Sequence, residues 1–101
     1  MAIAMIVEFN GVGIEKYNAV MKELKLDKPN AQWPKGVISH LAGPIPNGFQ
    51  VVDVWESQAT WDTFLTNQLI PAITRVGGIP KPSPRIIAIH NSHGLATPAT
   101  R

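Results

Sequence analysis

A chain of 101 residues with 45% apolar and 16% charged residues can build one hydrophobic core and is too apolar to remain disordered. The absence of cysteine excludes disulfides, thiolate metal sites and a cysteine nucleophile, and no apolar run approaches the roughly 20 residues needed to span a bilayer. Nine basic residues against seven acidic ones give a formal charge of +2, but they are scattered rather than bunched, so nucleic acid is not an expected partner.

The N-terminus shows no basic segment followed by an apolar stretch and a small-residue cleavage site, so the expected location is cytoplasmic, with no membrane attachment. It enters at once into AIAMIVEF, residues 2 to 9, a short apolar run bounded by Asn10-Gly11 that reads as a strand covered on both faces. Gly11-Val12-Gly13 turns the chain; without a third glycine or a following strand it is no dinucleotide loop. From Ile14 onward, Tyr17, Val20, Met21 and Leu24 recur at helical spacing on one face, and the helix should end before Pro29. Lys22, Lys25 and Lys28 fall near its end, where cations complement the dipole and stay in water. Residues 28 to 35, with two prolines and Trp33, form a loop whose indole is expected to cover apolar surface.

GVISHLAG (36 to 43) and GFQVVDVWE (48 to 56) flank Pro44-Ile45-Pro46-Asn47, which reads as a hairpin. Ser57 is placed to cap a second helix carrying Trp61, Phe64, Leu65 and Leu69, which must stop at Pro71 or restart with it in a first turn. A proline-rich connection, 77 to 84, leads to a last strand RIIAIH, 85 to 90, and a tail of turn and small residues. The expectation is therefore one domain, residues 1 to 92, with a flexible tail from 93 to 101. Its order is that of a ferredoxin-like βαββαβ α+β fold, a four-stranded antiparallel sheet with two helices on one face.

Two helices can cover only one face of that sheet. Ala2, Ala4 and Ile6 alternate with Ile3, Met5 and Val7, and Val37, Leu41, Val52 and Val54 oppose Ile38, Ala42, Phe49, Val51 and Trp55, so the second face is apolar too. Soluble monomers rarely expose so large a patch, and a homodimer formed through the sheet face is the expected cover.

The string VVDVWESQATWDTFLTNQLIPAI, residues 51 to 73, resembles the strand-to-helix signature of the dimeric α+β barrel superfamily, and especially of its antibiotic biosynthesis monooxygenase-like proteins. There an aromatic and an acidic residue end a strand and a serine caps an aromatic-rich helix. The resemblance in element order extends over residues 2 to 90. It implies a dimeric α+β barrel and one of several chemistries: cofactor-free oxygenation, haem degradation, polyketide cyclisation or isomerisation. Counting from Trp55, the haem-degrading branch's helix tryptophan falls on Phe64 and its haem-ligating histidine on Thr74, which cannot replace an imidazole. No cofactor is therefore expected.

Pairing Gly43 with Gly48 across a four-residue loop sets His40 opposite Val51 and diagonal to Asp53, on one face with Ile38, Ala42, Phe49, Val51 and Trp55. Diagonal neighbours lie about 7–8 Å apart, within reach of a histidine and a carboxylate leaning together. A carboxylate in an apolar strand needs a partner; it would orient the ring and leave the other nitrogen as a general base, or the couple could merely fix register. A one-residue bulge would separate the two altogether. Tyr17, Trp33, Trp55, Trp61 and Phe64 could line an aromatic pocket between helices and sheet, with His90 at its mouth. His90 and His93 diverge in an extended chain and lack a nearby acidic ligand, so no metal site is expected. The resulting reading is a cofactor-independent monooxygenase-like, cyclase-like or isomerase-like enzyme. It would act on a small apolar aromatic or polyketide-type molecule, with His40 as base, Asp53 orienting it, and Trp55 and Phe64 holding the ring. The alternative is a non-catalytic ligand-binding or structural homodimer.

Overall fold

Alternation decides the sheet. In a computed structural model that describes residues 1–94, Ile3, Met5 and Val7 of strand β1 (Ile3–Asn10) are buried while the residues between them are only half-covered. Strand β3 (Gly48–Trp55) repeats the pattern with Phe49, Asp53 and Trp55 buried. These two strands pair at the centre of the sheet, Met5 opposite Asp53 and Ile3 opposite Trp55. Strand β2 (Val37–Ile45) and the short β4 (Arg85–Ala88) form the edges, giving the order β2-β3-β1-β4 with every neighbour antiparallel. Of the tail expected from residue 93, everything beyond residue 94 lies outside the described residues.

The hairpin differs from its expected form. Ile45 pairs with Gly48, so the turn is the two residues Pro46-Asn47 and not four. Pro44 becomes part of β2, which it can do because β2 is an edge strand and needs no donor there. Paired positions shift by two, so His40 stands directly opposite Asp53 rather than diagonal to it, and side chains keep their faces because the strand period is two. One bulge does occur, between Val37 and Ser39, beyond His40. It turns Val37 instead of Ile38 toward the core, where Val37 packs against the main apolar cluster.

Helix α1 (Ile14–Glu23) ends well short of Pro29. Lys25 takes a left-handed conformation at φ 60° and the Leu26 N–H bonds back to Met21 O at 2.9 Å, a helix-terminating arrangement that leaves only Lys22 of the three lysines in the last turn. Ser57 caps helix α2 (Gln58–Phe64), its hydroxyl accepting the Thr60 N–H at 3.2 Å. The chain passes Pro71 without a break. A π-turn, Leu65–Leu69, in which the Ile70 N–H reaches Leu65 O, restarts the helix as α3 (Ile70–Val76) with Pro71 in its first turn.

All the helices lie over one face. Trp61 and Phe64 pack on Ile3, Met5, Val7 and Trp55, and Val20 meets Ala72 and Ile73 where α1 crosses α3, with Leu24 and Leu69 joining the two clusters. Full burial of each such side chain contributes about 1.5–3 kcal/mol. Across the sheet, Ala4, Ile6, Val52 and Val54 are half-buried, and Leu41 and Ile87 are 63% and 58% exposed. Among the described residues no helix is long and apolar enough to cross a membrane.

Gly36 joins the Trp33 loop to β2 and is packed closely against α2. Its φ is +96°, an added Cβ would stand 2.5 Å from Thr60 Cβ, and its carbonyl accepts the Glu56 N–H at 2.7 Å. The substitution Gly36→Ala should therefore lower stability by about 2 kcal/mol or more, seen as a fall of roughly 10 °C in Tm; an unchanged Tm would contradict the packing of this loop on α2.

Candidate active site

Asp53 organises the polar groups of the core. It lies mid-strand, 5% exposed, in an otherwise apolar layer, and an unpaired charge there would be costly. Both of its oxygens are occupied: the Trp55 indole N–H donates to Oδ2 at 3.1 Å, and His40 Nδ1 lies 2.7 Å from Oδ1. Trp55 is available because residues two apart on a strand share a face. His40 is available because the two-residue hairpin sets it directly across. The far nitrogen of His40, Nε2, is 2.7 Å from the hydroxyl of Tyr17 on α1. The four groups form one unbroken chain: Trp55, Asp53, His40, Tyr17.

Charge logic sets the direction of each bond. A carboxylate only accepts, so His40 Nδ1 carries a hydrogen and donates it to Asp53; Nε2 of the neutral ring is then an acceptor, and the Tyr17 hydroxyl donates to it. No buried side-chain nitrogen or oxygen among the described residues lacks a partner. Burial first, and the nearby Asp53 charge second, push the Tyr17 hydroxyl above its ordinary value of 10.0.

Aromatic packing fixes the rings. Tyr17 stacks on Phe49 with centroids 4.7 Å apart, and Trp33, from the loop before β2, tilts over His40 at 5.1 Å. Trp55 is wedged between Trp61 at 5.7 Å and Phe64 at 5.3 Å, so its indole N–H is aimed at Asp53 by the core itself. Between helices and sheet lies an apolar cavity of about 70 Å³, and Tyr17, Trp33, His40, Asp53, Trp55, Trp61 and Phe64 are all on its wall. A wider hollow of about 530 Å³ adjoins it, bordered by Asn18, Lys22 and Asp27, and shares with it Tyr17, Met21, Leu26, Trp33 and His40.

His90 is not part of this arrangement. Strand β4 ends at Ala88, two residues short of the expected end, and is the edge opposite β2, so His90 is exposed and lies outside both hollows. Thr74 spends its hydroxyl on Ile70 O at 2.7 Å within α3. No three His, Asp or Glu side chains gather as a metal site among the described residues.

Sequence reading missed the polar role of two residues. Tyr17 was expected as cavity wall only, although a tyrosine heading a buried helical stripe needs a partner for its hydroxyl. The indole N–H of Trp55 is the matching case on β3.

Tyr17 is the chain's single tyrosine, so an ultraviolet titration reports it alone. Its midpoint should lie above 10, and since the fold favours the protonated phenol, this stabilising contribution is present below pH 10 and lost as pH rises through the folded midpoint. A midpoint at or below 10 would contradict the burial of the hydroxyl against His40.

No protein-family model matches the chain, and no curated protein sequence matches it. Solved structures do. A candidate antibiotic biosynthesis monooxygenase from Chloroflexus aurantiacus superposes with a TM-score of 0.67 at 15% identity, covering 95% of this chain and 100% of that one. SnoaB, a cofactor-independent oxygenase from Streptomyces nogalater, gives 0.64 at 10% identity over 90% of this chain and 95% of its own. A candidate antibiotic biosynthesis monooxygenase from Deinococcus radiodurans gives 0.57 at 13% identity, over 96% and 100%. The fold of this chain is the ferredoxin-like α+β fold of the antibiotic biosynthesis monooxygenase-like proteins.

Proposed function

We propose that this protein is a cofactor-independent, monooxygenase-like enzyme that deprotonates a small apolar aromatic hydroxy compound, with His40 as the base and Asp53 as the group that orients it. One observation carries the reading: an imidazole clamped at 2.7 Å on each nitrogen, between a buried carboxylate and a phenol, at the wall of an apolar cavity. A base in a dry site is the element that such chemistry requires. Ionising a quinol or enol raises its electron density enough for the substrate itself to reduce dioxygen, and the same proton abstraction begins a cyclisation or an isomerisation. Asp53 orients the ring through Nδ1, and Trp55 with Phe64 supplies the apolar ring contacts. The fold is shared with an oxygenase that works without a cofactor, which supports the reading.

The inner cavity, at about 70 Å³, is smaller than the roughly 300–1,000 Å³ of ligand sites, whereas the outer hollow of about 530 Å³ falls within that range. A ligand would place one apolar end in the cavity and the rest of its ring system in the hollow. We further propose that the chain is a homodimer, because the sheet face bearing Leu41, Val52, Val54 and Ile87 is apolar and carries no helix.

Incubation with a panel of aromatic quinols under air tests the chemistry. Product should form with the native chain and fall by about 10²–10⁴-fold in His40→Gln, with Tm followed to confirm folding. Equal turnover by the folded variant removes His40 as base, and binding without turnover by the native chain favours a non-catalytic ligand-binding dimer. For assembly, sedimentation should give twice the 11.0 kDa chain mass, and Val52→Glu should return the protein to 11.0 kDa; a native monomer at micromolar concentration refutes the dimer.

A further inference from the structure

The neck between the two hollows is formed by Tyr17, Met21, Leu26, Trp33 and His40. Its hydrogen-bonding capacity is nearly exhausted. His40 uses Nδ1 on Asp53 and Nε2 on Tyr17, and the Asp53 oxygens are held by His40 and Trp55. The Trp33 indole N–H is a donor only. With its proton committed to His40, the Tyr17 oxygen keeps its lone pairs, and among the oxygen and nitrogen atoms of these side chains it is the acceptor left for a ligand.

We propose that Tyr17, rather than His40, is the residue that touches the reacting hydroxyl, and that the site selects ligands carrying an acidic O–H, a phenol or enol, on an otherwise apolar frame. This rests on the reading of His40 as the base. The step balances as a relay of two protons. The ligand O–H bond breaks and its proton passes to the Tyr17 oxygen, while the Tyr17 O–H bond breaks and that proton passes to His40 Nε2. The products are a ligand oxyanion, a neutral Tyr17 and an imidazolium paired with Asp53, and no oxidant or reductant is consumed. Afterwards the two hydrogen bonds of the relay have reversed, while those to Asp53 keep their direction: Nε2–H donates to the Tyr17 oxygen, and the Tyr17 O–H donates to the oxyanion. The elevated pKa of Tyr17 fits this role, since a phenol that resists ionisation transmits the proton without retaining the charge. Ethers and ketones of the same shape have no proton for the Tyr17 oxygen, and they are rejected because they would meet a lone pair with a lone pair.

A chromogenic pair tests this: para-nitrophenol, coloured only when ionised, and para-nitroanisole, which has no acidic proton. At a pH where free nitrophenol is largely neutral, the native chain should ionise the bound phenol and bind it at least about tenfold more tightly than the anisole. Tyr17→Phe keeps the ring stacked on Phe49 and removes only the hydroxyl. It should lose both the colour and the preference. His40→Gln should lose the colour and keep the preference, because the Tyr17 oxygen still accepts. Undiminished colour in a folded Tyr17→Phe overturns the inference alone, showing that His40 takes the proton directly. A native chain that shows neither colour nor preference overturns the inference together with the base it rests on.

Discussion

One carboxylate constrains the rest of the site. Asp53 sits within a central strand, opposite Met5 and between Val52 and Val54, buried from water. A bare charge in that place would cost several kcal/mol, so its surroundings must deliver two hydrogen bonds. They arrive from different elements: one from Trp55 on the same strand, the other from His40 on the neighbouring strand. Once His40 has turned Nδ1 toward Asp53, its Nε2 points toward α1, where the hydroxyl of Tyr17 completes the series. The buried charge thus couples the hairpin register, the orientation of an indole and the seating of a helix.

Strand parity explains why this coupling is robust. A register shift of two along β2 moves His40 from diagonal to opposite but leaves it on the helix-facing side; a shift of one would have turned it outward. The single bulge lies between Val37 and Ser39, so it disturbs the parity of Val37 and spares that of His40. Trp55 supports the arrangement from below. Held between Trp61 and Phe64, it cannot withdraw its N–H from Asp53 without opening the core.

Much of this was legible in the sequence. The apolar run AIAMIVEF and the β-rich run GFQVVDVW marked two strands, Ser57 marked a helix start, and the face shared by His40, Asp53 and Trp55 followed from period-two counting. The turn length was not, because Pro44 in a flexible-looking PIPN string reads as a breaker unless the strand is known to be an edge. The end of β4 was misplaced for a related reason: RIIAIH carries a strand pattern to its last residue, but the paired strand ends at Ala88 opposite Ile3, and past it only the Ile89 N–H still reaches Ala2 O, at 3.2 Å. The polar contact of Tyr17 depends on how α1 is set over the sheet, which sequence periodicity does not contain.

Identities of 10–15% to proteins of the same fold leave the chemistry to be argued from this chain's own side chains. Those side chains make a definite claim about one proton: with Asp53 as a carboxylate, the neutral His40 ring must carry its hydrogen on Nδ1 and leave Nε2 bare. Nitrogen NMR of isotopically labelled histidine, with His40 assigned by substitution, reads this directly in the folded protein at neutral pH. A pyrrole-type Nδ1 coupled to a hydrogen-bonded proton, beside an unprotonated Nε2, is the predicted result. The opposite tautomer, with hydrogen on Nε2, would mean that Asp53 and Tyr17 do not hold the ring as described.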